Sequence, residues 1–207
     1  MMCPVKEKWS QGLPIVIMIL LAVTRWPGML PNNFSAVYGM AFCAGVYFSG
    51  WQRWYLPLGT FFITDVLMNV FYYHVAPISA YVTVNYLAYL AIIWLGKKYS
   101  HRASWLSLVG GGLWGALIFY FVTNTASWLQ NPEYAKTLAG WVQALTRGTP
   151  GWPPTWEFFR NTLLSGGLFA GLFAGAMKLS EAPEEEPEEE ADGSAEEPAA
   201  RPEESKA

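Results

Sequence analysis

Acidic side chains are nearly absent from most of this chain. Before residue 181 the only carboxylates are Glu7, Asp65, Glu133 and Glu157. Cysteine is as scarce, with Cys3 and Cys43 alone and no CxxC pair, which excludes a disulfide framework and a thiolate metal centre. The two histidines, His74 and His101, stand far apart, and no HExxH, GxSxG or GxxxxGK motif occurs. Asp65 has no second acid or base within the apolar segments with which to divide proton-transfer work. The chain is therefore expected not to be an enzyme and to carry no cofactor and no metal. Nothing in it points to nucleic acid.

What charge there is divides sharply. Residues 1–180 hold eleven Lys and Arg against those four acids, and residues 181–207 hold twelve acids against Arg201 and Lys206. The net charge of −3 describes neither part. The terminal stretch "EAPEEEPEEEADGSAEEPAARPEESKA" has no aliphatic side chain larger than Ala and nothing with which to offset chain entropy. Two regions are expected, a transmembrane helical domain at 1–180 and a disordered acidic tail at 181–207.

Hydropathy organises the first region, since a helix needs about 20 apolar residues to cross a bilayer. Six candidate spans run over 9–26, 34–50, 54–73, 79–95, 105–123 and 158–177. Trp and Tyr stand near several of their ends, as amphipathic rings do at a membrane interface. Between the last two, Leu138, Trp141, Val142 and Leu145 recur at helical spacing on a short segment closed by "RGTPGWPP", which predicts an interfacial helix. The expected fold is all-α, a polytopic bundle of about six transmembrane helices with one short interfacial helix.

Basic residues set the expected orientation. Lys97, Lys98 and Arg102 crowd one loop, and with six spans Lys6, Lys8, Arg53 and Lys178 fall on the same side. That side should be cytoplasmic, placing both termini inside a bacterial inner membrane. Arg25, Lys136, Arg147 and Arg160 fall on the other.

The intramembrane polar residues gather towards that other side. Spacing puts Phe62, Asp65, Asn69 and Tyr72 on one helix stripe. Asn85 comes early in its span beside Tyr81 and Tyr89, and Asn124 lies between Tyr120 and Trp128. Arg160 and Asn161 open the last span, and Asn33 precedes the second. A carboxylate at bilayer depth should face the bundle interior, paired or hydrogen-bonded. Either Asp65 pairs with Arg25 or Arg160 while the amides join helices, or Asp65, Asn69, Asn85, Asn124, Trp128, Arg160, Asn161 and Asn33 line an outward-facing small-molecule pocket.

Small residues add a packing signal. Gly167, Gly171 and Gly175 repeat at four-residue spacing, as do Gly111 with Gly115, Gly112 with Ala116, and Ala41 with Gly45 and Ser49. Such faces let helices approach closely, either within the bundle or against a membrane partner subunit.

The series "LPNNFSAVYGMAFCAGVYF", "LPLGTFFITDVLMN", "IFYFVTNTASWL" and "FFRNTL" resembles an uncharacterised bacterial integral-membrane family over about 25–177. The matching positions are Asn33, Phe34, Asp65, Thr123, Asn124, Trp128, Phe159, Asn161 and Thr162, with Ala36 standing where the family has Pro and Gly166 where it has an acid. In architecture that family is similar to the substrate-binding S components of energy-coupling-factor vitamin transporters, although "LPIVIMILLAV" presents a bulky first span with only Ala22 small. The resemblance implies small-molecule binding or transport. The alternative is a structural or assembly subunit with no ligand of its own.

Overall fold

A computed structural model describes residues 4–78 and 80–180, with side chains over 12–78 and 82–180. Seven α-helices account for most of the described residues: α1 Pro4–Val23, α2 Val37–Tyr47, α3 Gln52–Leu67, α4 Ala80–Gly96, α5 Trp105–Gln130, α6 Leu138–Thr146 and α7 Thr155–Ser180. There is no strand among the described residues. The all-α expectation holds, each expected span coincides with one helix, and the expected short segment is α6. Cys3 and the acidic tail lie outside the described residues.

Among the described residues, three helices rather than six are long and apolar enough by themselves to cross a membrane. α3 with its continuation (Gln52–Tyr72), α5 and α7 are long and apolar enough. At 1.5 Å per residue the 26 residues of α7 cover about 39 Å. The 11 residues of α2 cover about 16 Å, half a hydrocarbon core. The described apolar stretches of α1 and α4, Gly12–Val23 and Val82–Gly96, are also below that length. The reason is clearest at α2, where every residue from Val37 to Val46 is buried. Its sequence is apolar on all sides because protein surrounds it, and hydropathy cannot distinguish that from lipid.

α2 is the centre of the bundle, packed on α4, α5 and α7. Backbone atoms of Phe169 and Ala170 come within 3 Å of where a Gly39 Cβ would stand, and Gly96 and Lys97 do the same at Gly45. Phe42 lies against Gly111. α5 and α7 interlock through small residues, Gly112 facing Gly166 and Ala170, and Gly166 facing Ala116. The Gly167, Gly171 and Gly175 face is covered from α5 by Leu113, Val109 and Trp105, and the Trp105 indole N–H donates to the Gly171 carbonyl at 2.9 Å. The glycine pattern thus serves contacts inside the chain.

Two local features aim side chains differently from the sequence expectation. α3 ends in a π-helical turn, Met68–Tyr72, in which the Tyr73 N–H donates to the Met68 carbonyl. One such turn rotates everything after it relative to an α-helix. α6 is capped by Thr137, whose hydroxyl accepts from the Gly140 N–H at 3.2 Å. It buries Gly140 and Ala144 and turns Leu138 and Val142 outward.

Candidate functional site

Asp65 meets Arg25 rather than Arg160. The Arg25 Nη2 lies 2.5 Å from the Asp65 Oδ1, and only 7% and 15% of the two side chains is exposed. The other guanidinium nitrogen donates to the Phe61 carbonyl at 3.2 Å and to the Thr64 hydroxyl. The Tyr86 hydroxyl donates to the second Asp65 oxygen at 3.0 Å. Arg25, just past the end of α1, is thereby tied to α3 and, through Asp65, to α4. Every charge in this cluster already has a partner of opposite sign, so it acts as a clasp holding three segments.

The residues of the expected stripe make separate contacts. Asn69 bonds away from Asp65: its side-chain amide donates to the Pro77 carbonyl at 3.1 Å while its backbone carbonyl accepts from the Val75 N–H. Asn69 therefore braces the loop after α3. Phe62 is exposed, and Tyr72 meets Trp26 edge-on. At the start of α7 the exposed Arg160 lies over the Trp156 ring, and Asn161 donates to the Asn32 carbonyl at 2.9 Å. The Trp128 indole donates to the Ala135 carbonyl at 2.9 Å, fastening the link between α5 and α6.

Asn33, Asn85 and Asn124 do converge. They line a cleft of about 460 Å³ at the end of the bundle where α4 and α7 begin and α5 ends. Asn33 comes from the turn before α2, with its backbone left-handed at φ 58°, a conformation asparagine tolerates better than most residues. Its side chain and that of Asn85 have no hydrogen-bond partner among the described residues. Asn124 donates its amide nitrogen to the Tyr120 carbonyl at 2.8 Å, which leaves its side-chain oxygen as an acceptor. Hydroxyls of Thr123, Ser127 and Thr149 and the rings of Phe119, Tyr134 and Trp152 complete most of the wall. Among the described residues, no Lys, Arg, His, Asp or Glu lines the cleft.

Sequence reasoning missed the loop between α6 and α7. Thr149, Trp152 and Pro153 come from it, with Thr155 opening α7, and it folds back over the helix ends at Gly148 and Gly151, whose φ of 75° and 86° suit glycine. The Tyr120 hydroxyl ties the ends of this loop to α5, meeting the Leu145 carbonyl at 2.6 Å and the Thr155 carbonyl at 3.3 Å. The available signal was the density of Gly, Pro, Thr and Trp in "TRGTPGWPPTW". A second hollow, about 420 Å³, lies between α1 and α3 against Ile19, Trp26, Met29 and Leu67; its lining is almost wholly apolar.

The model of a family of unknown function, DUF6580, matches residues 6–187. No curated protein and no solved structure matches the chain.

Proposed function

The chain belongs to this family of unknown function, and we propose that it is a multi-pass membrane protein that binds a small molecule in the amide-lined cleft, to carry it across the bilayer. The observation that carries this reading is the convergence of Asn33, Asn85 and Asn124 from three separate segments, two of them with unpartnered side chains. Amides that only joined helices would be bonded to one another or to backbone. A concave site with aromatic walls and a few polar groups is the usual composition of a ligand pocket.

Membrane residence is supported by the three long apolar helices and by exposed Ile63, Leu67, Leu87, Trp114, Leu168 and Leu172 on the outside of the bundle. In this reading all of α1, α2, α3, α4, α5 and α7 traverse the bundle, the short ones with the help of their loops, and α6 lies along the interface. Asn85 falls in the second turn of α4, while Lys97 and Lys98 follow its last residue. The basic loop and the cleft therefore lie towards opposite ends of α4. With the basic end in the cytoplasm of a bacterial inner membrane, both termini are inside and the cleft faces outward.

Native mass spectrometry of the protein released from a mild detergent tests binding. A retained small mass that disappears in an Asn85→Leu, Asn124→Leu double variant is the expected result. No retained mass in the unaltered protein, or one unaffected by the double change, counts against it. The second reading, a structural or assembly subunit, draws on Asn69, Asn161 and Trp128, each of which ties a backbone carbonyl. A gentle pull-down that brings an ATPase and a coupling membrane subunit favours transport, and a stoichiometric complex without them favours assembly.

A further inference from the structure

The chemistry of the cleft narrows its ligand, provided that the cleft is a binding site at all. We propose that it takes an uncharged, flat heterocycle presenting a hydrogen-bond donor beside an acceptor, the edge of an amide or imide. The absence of formal charge follows from the lining. Among the described residues of the lining there is no Lys, Arg, His, Asp or Glu. Asp65 and Arg25 neutralise each other outside it. A carboxylate, phosphate or ammonium entering the cleft would shed hydration with no counter-charge to replace it.

The polar edge follows from the amides. A carboxamide holds a carbonyl and an NH2 side by side, so it complements a donor–acceptor edge with two parallel hydrogen bonds, as asparagine does with the edge of adenine. Asn33 and Asn85 are both free for such a pair, and the Asn124 oxygen adds one further acceptor. Flatness follows from the walls. Trp152 is 74% exposed at its place in the lining, and Phe119 and Tyr134 supply further ring surface. Aromatic side chains favour a stacked or edge-on planar partner.

Calorimetry on the full chain in lipid nanodiscs tests the class with six probes. Uracil, hypoxanthine and nicotinamide are neutral, flat and amide-edged. Orotate and nicotinate supply a carboxylate on similar rings, and myo-inositol is neutral but not flat. At least one of the first three should bind, and both orotate and nicotinate at least about ten-fold more weakly than it. Asn85→Leu should weaken that binding by about ten- to a hundred-fold, the loss expected for buried amide hydrogen bonds. Asn85→Asp, which keeps the shape and adds charge, should weaken it as well, and unchanged melting curves would show that both variants are folded. Equal or tighter binding of a carboxylate, binding of inositol alone, or no binding by any of the three amides overturns the class. If orotate, nicotinate or inositol binds and Asn85→Leu abolishes it, the class fails while the cleft stands as a binding site. A retained small mass in native spectra that ignores the asparagine changes removes the cleft itself.

Discussion

Asp65 shows how much one residue's surroundings decide about its role. An acid at membrane depth is a default candidate for function, yet here both its oxygens are occupied, by Arg25 and by Tyr86. Removing only its charge should therefore destabilise the bundle without altering the proposed binding cleft. Asp65→Asn leaves the Arg25 guanidinium largely buried and uncompensated, a loss of about 3 to 5 kcal/mol. Arg25→Met combined with Asp65→Leu should recover much of that, and binding in the cleft should be unaffected in every variant that folds. Melting curves of the single and double variants check this; a stable Asp65→Asn that no longer binds would make Asp65 a ligand group instead. The choice of partner between Arg25 and Arg160 was not legible in the sequence, because it depends on where the chain after α1 crosses α3. The role of Asn69 was hidden as well, since its amide bonds the Pro77 carbonyl in the loop after α3, a partner no helical spacing marks.

At the scale of elements the small-residue faces were readable as packing surfaces, and the helix partners were not. α5 and α7 meet where the Gly112 Cβ position is 2.7 Å from the Gly166 carbonyl oxygen and against the Ala170 methyl, so Gly112→Ala should push the two backbones apart. A loss of about 1 to 3 kcal/mol is expected, as for other overpacked interiors. Gly175 differs, its nearest contact being the Trp105 indole nitrogen at 3.5 Å. Gly175→Ala should leave the melting temperature unchanged or raise it, since alanine gains up to about 1 kcal/mol over glycine in a helix. Thermal melts of the two variants side by side check the assignment, and equal effects would contradict it. Helix positions were legible because a run of apolar residues is sufficient to mark them. The half-length of α2 was not, because a helix buried in protein and one buried in lipid share the same composition. The loop between α6 and α7 went unread as a site because its side chains are placed by the turns at Gly148 and Gly151 rather than by any period.

For the whole molecule, the proposed topology makes the two ends of the bundle chemically unlike. The end beyond α4 carries Lys97, Lys98 and Arg102, with the Lys98 ammonium 4.6 Å from the centre of the Trp94 ring. The other end holds the uncharged cleft. A reporter active only in the cytoplasm should work when fused after Lys98 or Lys178 and fail after Lys136; activity at Lys136 would invert or shorten the topology. The central claim is that Asn33, Asn85 and Asn124 face an open, water-filled cleft on the outer side rather than a dry helix junction. Alkylation of an Asn85→Cys variant by a membrane-impermeant maleimide in intact cells tests it most directly. Cys43 is buried, and a Cys3→Ser background removes the other native thiol. The account predicts rapid labelling from outside the cell, slowed by any ligand that fills the cleft. A thiol that stays unlabelled, or that reacts only after the membrane is permeabilised, would contradict it.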